Sequence, residues 1–326
     1  MPLFGIDRPL DERHLLNIVG ISPGRPVFLA TATDNSTVVL KNEVQVHASD
    51  PHNMKMALKV AKTASPAGAG KTLTYLEVQA VQSYFETKKY ISEVTMQPLP
   101  PDVKYLGDML EANGMWYKMA KAEGIVSIED AQQRAANGNK TDVRSIAAAL
   151  SAHDGLESLG RIIAADLWNG NNDRFSPNGG VDGHRVLVNA GNVLLAFHGN
   201  QNTLKPIGLD AYEAMGMFRN YQQTIGDLEG VDQWGGRLLA NTAASNLALK
   251  TFCDDAVADI EDVLGPRNRK ILFAKTRRLP SNASNRLQQG VLSGAIPIRT
   301  KMRMLAGRAN PSPGLISRLQ TLGWWP

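Results

Sequence analysis

Hydrophobic and polar positions change their period several times along this chain, and each change marks an element. Leu15 to Val19 is a short apolar run, Gly20-Ile-Ser-Pro-Gly24-Arg-Pro26 reads as a turn, and Val27 to Thr33 is β-rich. Asp34-Asn35-Ser36 then turns the chain back into Thr37-Val-Val-Leu-Lys41, so the start of the chain predicts a small antiparallel unit. Ser49-Asp50-Pro51 places a capping side chain before proline at a first helical position, and Met54, Ala57, Leu58 and Ala61 carry a helix to about Ala64. Ser65 to Thr72 reads as a flexible linker. Leu73 to Phe85 is helical, with Leu76, Ala80, Val81 and Tyr84 on one face. Pro98 to Pro101 breaks the chain ahead of two predicted strands, Asp102 to Leu106 and Met115 to Met119.

Beyond Ala120 the pattern turns helical. Ser127 caps a helix from Ile128 to Ala136 with Glu129 and Asp130 in its first turn, followed by Thr141 to Ala152 and Leu156 to Leu167. Val186 to Leu195 runs into an apolar strand, and Tyr212 to Phe218, Trp234 to Phe252 and Asp254 to Leu264 read as helices. The fold class is therefore α+β. Residues 1–119 form a small β-sheet unit with helices, and residues 120–326 form a mainly helical one with a basic helical extension over 253–326. Trp324 and Trp325 are expected to dock on the body of the protein.

Composition narrows the class without naming it. At 326 residues, 43% hydrophobic and 20% charged, the chain can bury full cores. No apolar run approaches the roughly 20 residues that span a bilayer. The N-terminus, with Asp7, Arg8, Asp11, Glu12 and Arg13, lacks the apolar core of a secretory signal, so a cytoplasmic location is expected. Cys253 is alone, which excludes an intrachain disulfide, and His14, His47, His52, His153, His184 and His198 show no zinc-site spacing. The net charge of +4 conceals an asymmetry. Eleven of the 35 basic residues and no acid lie between Arg267 and Arg308, leaving 24 bases against 31 acids elsewhere, a balance of −7. Such a block suits an acidic partner surface, nucleic acid or anionic lipid, or forms a solvated helical face.

The densest candidate chemistry lies between Asp166 and Asn192, where Asp166-Leu-Trp-Asn-Gly-Asn-Asn-Asp173-Arg174-Phe175 leaves one helix and Val186-Leu-Val-Asn189-Ala-Gly191-Asn192-Val-Leu-Leu195 enters a strand. Phosphoryl transfer needs a carboxylate to orient the acceptor hydroxyl, then an oxygen ligand and a further Asp for Mg²⁺. Asp173, Asn192 and Asp210, the last in Pro206-Ile-Gly-Leu-Asp210, stand in that order. Asn178, five residues after Asp173, competes with Asn192 for the metal, and Asp166 reads as a structural carboxylate.

Asn-x-Asp-Arg, followed by Gly-Asn-Val-Leu-Leu and a later apolar-Asp, resembles the catalytic segment of the atypical kinases, most closely the actin-fragmin kinase catalytic domain. Phosphoinositide kinases and HipA-like kinases share the logic with tighter spacing. The resemblance implies a two-lobed kinase-like fold and transfer of phosphate from ATP, with Mg²⁺, to Ser/Thr hydroxyls of a protein such as actin. It assigns Asp173 to the acceptor hydroxyl and Lys41 to the phosphates. Glu77, with Glu86 as substitute, would hold Lys41. Gly20 and Gly24 would form the phosphate turn, and Met119 and Ala120 the hinge beside adenine. Ser65-Pro-Ala-Gly-Ala-Gly-Lys71-Thr72 also invites comparison with a phosphate-binding P-loop, but Ser65 stands where that motif needs Gly and no strand leads into it. The alternatives are a lipid kinase and a pseudokinase or binding module, and a bacterial origin would raise delivery into a host cytosol.

Overall fold

Along Val27–Ala32 half-buried and buried side chains alternate one for one, and this strand pairs on both sides. The computed structural model describes all residues except 1, 23–24, 44–50, 66–67, 69, 113, 172, 179–184, 198–203, 210–237, 241, 266–278, 309, 312 and 326. It divides into two units, residues 1–59 with 69–121, and residues 60–68 with 122–326.

The first unit is built on a five-stranded antiparallel sheet. Its strands are β1 (Leu15–Gly20), β2 (Val27–Ala32), β3 (Thr37–Glu43), β4 (Gly70–Thr72) and β5 (Met115–Ala120), in the order β1-β2-β3-β5-β4. Helix α1 (Pro51–Ala64) lies between β3 and β4 in sequence, and α2 (Tyr75–Thr95) and α3 (Pro101–Glu111) between β4 and β5. One face of the sheet carries Phe28, Leu40 and Trp116, which pack with Val81 and Tyr84 of α2, Leu106 of α3, and Phe4 and Leu10 of the N-terminal segment.

Two expectations are corrected here. Asp102 to Leu106 is helix, not strand. Pro101 occupies its first turn, and Val103, Leu106 and Gly107 are buried at helical spacing, with Gly107 flat against the Phe85 ring. Lys71 lies not on a linker but on β4, opposite Lys118 of β5, because a three-residue edge strand needs only the neighbouring ladder to form it. Helix α2 also runs ten residues beyond Phe85, to Thr95.

The second unit is mainly helical: α4 (Ile128–Ala136), α5 (Thr141–Ser151), α6 (Gly155–Asn169), α7 (Ala243–Leu264), α8 (Ala283–Ala306) and α9 (Pro313–Thr321). Two small antiparallel sheets accompany them. β6 (Glu123–Ser127), β9 (Leu194–Phe197) and β10 (Leu204–Ile207) pair in the order β10-β9-β6, and β7 (Phe175–Asn178) pairs with β8 (Arg185–Val188) as a hairpin. Ser127 caps α4 through a reciprocal box with Asp130.

Helix α6 is buried along almost its whole length, and α8 lies directly against it. Glycines make that approach possible. A Cβ on Gly160 would stand 2.3 Å from the Leu287 carbonyl, one on Gly290 would stand 2.3 Å from the Glu157 carbonyl, and one on Gly294 would stand 2.8 Å from Arg161 Cα. The C-terminal end of α6 is closed by Arg318, which donates to the Trp168 carbonyl at 2.6 Å and lies over the Trp168 ring, while Trp324 stacks on that ring with centroids 5.3 Å apart. Part of the basic block is structural too: Arg286 donates to the Ser151 and Ala152 carbonyls at the end of α5. Among the described residues no helix is long and apolar enough to cross a membrane.

Candidate functional site

Helix α6 delivers the candidate loop and then stops at Gly170, whose left-handed backbone lets its N–H and that of Asn171 turn back to the Asp166 carbonyl. Asp166 is buried, and its carboxylate accepts from Arg174 Nε at 2.8 Å and from Asn171 Nδ2 at 3.2 Å. Burial pushes the Asp166 carboxyl above its ordinary range, and the Arg174 guanidinium opposes that push.

Arg174 is the tie of the site. Its buried side chain bonds Asp166 of α6, the carbonyl of Asn192, and the carbonyl of Leu209 at 2.5 Å, and its own carbonyl accepts from Asn189 N at 3.0 Å. One planar fork thus fixes three segments of chain, a role that suits Arg rather than Lys.

That tie brings Asp173 and Asn192 together. Asn192 Nδ2 donates to Asp173 Oδ2 and, at 3.2 Å, to the Asp173 carbonyl, while Asn189 Nδ2 donates to Asp173 Oδ1 at 3.1 Å. A carboxylate only accepts, so each amide must present its nitrogen to Asp173. Asn189 Oδ1 accepts from Gly191 N at 3.2 Å, closing the turn, whereas Asn192 Oδ1 accepts no hydrogen bond from the described residues. Glu129 of α4 lies beside the same turn, since a Cβ on Gly191 would stand 2.9 Å from its Oε2. The cluster is exposed at Asp173 and Asn189 and anchored beneath by Arg174.

The other predicted residues fall as follows. Asn178 ends β7 and pairs across the ladder with Arg185, while the amides that touch Asp173 among the described residues are those of Asn189 and Asn192. Asp210 and Gly24 lie outside the described residues. Gly20 ends β1, Met119 is buried on β5, and Ala120 is the exposed end of that strand.

Lys41 does not meet Glu77. Successive residues of a strand face opposite sides of the sheet. Lys41 pairs across the ladder with Tyr117, while its neighbour Leu40 pairs with Lys118. Helix α2 packs on the Leu40 face, so Glu77 reaches Lys118, and Lys41 pairs with Glu43 at 2.7 Å and lies over the Tyr117 ring. Glu86, exposed further along α2, is on the same helix and offers no substitute. Glu77 is buried rather than solvated: it also accepts from Leu10 N at 3.0 Å and caps α2 through Thr74 N at 2.9 Å. Burial raises its carboxyl, but Lys118 and these N–H groups outweigh burial and hold it below the ordinary range.

Three residues that organise the two units escaped the sequence reading: Lys118, the bonding role of Arg174, and Asn189. Asn189-Ala-Gly191 is an Asn-x-Gly turn signal, which was the one available pointer to the last of them. Among the described residues no group of three His, Cys, Asp or Glu is placed to hold a metal. Compared with protein-family models and with curated protein sequences, the chain matches none.

Proposed function

We propose that this chain is an ATP-dependent phosphotransferase of the atypical protein kinase type, acting on a Ser/Thr hydroxyl of a protein. The supporting observation is the Asp173 carboxylate, solvent-facing and gripped at both oxygens by amides, beside the side-chain oxygen Oδ1 of Asn192, which accepts no hydrogen bond from the described residues. In the reaction the acceptor O–H gives its proton to Asp173 as its oxygen bonds to the γ-phosphorus. The bond from that phosphorus to the bridging oxygen breaks, and ADP leaves with the electron pair.

A hard oxygen donor is the chemistry that Mg²⁺ prefers, so Asn192 Oδ1 fits it, with Asp210 as the second protein ligand. When bound, Mg²⁺ neutralises phosphate charge. Lys41 is assigned to the phosphates with Glu43, not Glu77, as its holder. Lys118 is excluded from that role by its burial against Glu77.

The test is transfer of labelled phosphate from ATP, with Mg²⁺, onto proteins of a cell lysate, actin and phosphoinositide vesicles. Asp173→Asn removes the base and is expected to lower the rate about 10²- to 10⁴-fold with the fold intact. Label on lipid alone replaces the protein kinase reading with the lipid one. No label with any acceptor leaves a binding module.

A further inference from the structure

Two asparagines hold Asp173, and their amides are used differently. Asn192 spends its nitrogen on Asp173 and keeps its oxygen. Asn189 spends both ends inside the loop, its nitrogen on Asp173 Oδ1 and its oxygen on Gly191 N. Asn189 Oδ1 is therefore committed to its own turn, as Asn192 Oδ1 is not. We infer that Asn189 is a positioning residue for Asp173, the second of two amides that fix the plane of the reacting carboxylate.

The inference rests on the proposed role of Asp173. A single tether at Oδ2 leaves an exposed carboxylate free to rotate about its Cβ–Cγ bond, whereas a second at Oδ1 stops that rotation. Holding a base in its reactive orientation removes motion that would otherwise have to be stopped during the reaction. The tether is itself anchored, because Asn189 N donates to the carbonyl of Arg174, whose side chain is locked to Asp166 and to the Asn192 carbonyl. Among the described residues the charged groups around the loop include Arg174 and Asp166 on the α6 side, Glu129 on the α4 side, and Asp259 of α7, which accepts from Val188 N at 2.7 Å.

The full chain tests this with two variants of a surface residue. Asn189→Asp keeps the oxygen that closes the turn onto Gly191 N, but it replaces the donated N–H with a second carboxylate facing Asp173. Two carboxylates in contact repel, so Asp173 is pushed out of the orientation that the two amides hold. The Asp173 Cγ resonance, assigned by its absence in Asp173→Asn and followed without nucleotide at neutral pH, is expected to shift in N189D relative to the wild type. The kcat of N189D is expected to fall at least as far as that of N189A. Asn189→Ala is expected to lower kcat about tenfold with KM for ATP within about twofold, since it frees the base without touching the nucleotide. An Asp173 Cγ resonance unmoved in N189D, or a kcat unchanged in N189A, overturns the inference. Absence of transfer in the wild type defeats the kinase reading instead, and the resonance still reports whether Asn189 touches Asp173.

Discussion

Replacing Lys118 by Met tests the reassignment of the buried ion pair, because it removes a charge from the first unit and none from the proposed site. Glu77 would keep the N–H groups of Leu10 and Thr74 and the Thr74 hydroxyl, but would lose its counter-ion in a place only 2% exposed. Breaking one side of a buried pair costs about 3–5 kcal/mol. The three surviving hydrogen bonds put Lys118→Met at the low end, about 3 kcal/mol, or exchange of the β3–β5 backbone amides faster by roughly two orders of magnitude at neutral pH. Removing both charges, as Lys118→Met with Glu77→Leu, leaves no stranded ion and costs less than the sum, about 1–2 kcal/mol for the lost cap and the Leu10 bond.

Acid separates the cases further. In the wild type the Glu77 carboxyl stands below its ordinary range, so its contribution is complete above the unfolded value and is lost as pH falls through the folded one. Without Lys118 only the hydrogen bonds from Leu10 and Thr74 oppose burial, so the carboxyl rises relative to the wild type and the deficit of Lys118→Met shrinks as the solution is acidified. Hydrogen exchange at several pH values reads both effects. A cost under about 1 kcal/mol, or strict additivity in the double variant, refutes the reasoning.

Lys41→Met is expected to abolish transfer, by on the order of a hundredfold or more, while Lys71→Met on the edge strand leaves it near normal; the reverse result in the same labelled-ATP assay overturns the assignment. Gly290→Ala puts a methyl group 2.3 Å from the Glu157 carbonyl and must push α8 from α6, so a loss of about 3 kcal/mol in the urea stability of the second unit is expected, and one below about 1 kcal/mol shows that the helices part freely.

What could be read beforehand divides along physical lines. Long periodic segments such as Leu156 to Leu167 announced their helices, and the Val27 to Thr33 and Met115 to Met119 runs their strands, because their own side chains supply the buried face. Gly70–Thr72 and Glu123–Ser127 gave no such signal, being short strands that exist through the ladders beside them. Asp102 to Leu106 misled because five residues fit either period. The partner of Glu77 turned on strand parity: a shift of one residue between Leu40 and Lys41 exchanges the two sheet faces, and only the packing of α2 says which face a helix covers. In the loop, the residues of the Asp173 cluster were visible as types, but the grip of Asn189 depends on a turn brought back by the β7–β8 hairpin.

The glycine contact between α6 and α8 also has a consequence in time. The ribosome makes Gly160 roughly 130 residues before Gly290, an interval on the order of ten seconds at ordinary elongation rates. Throughout it, a helix that the folded chain buries along almost its whole length waits without its cover, with Asp166 near its end. A holdase that binds exposed apolar helices therefore has a defined window on this nascent chain, and it closes when Ala283–Ala306 emerges.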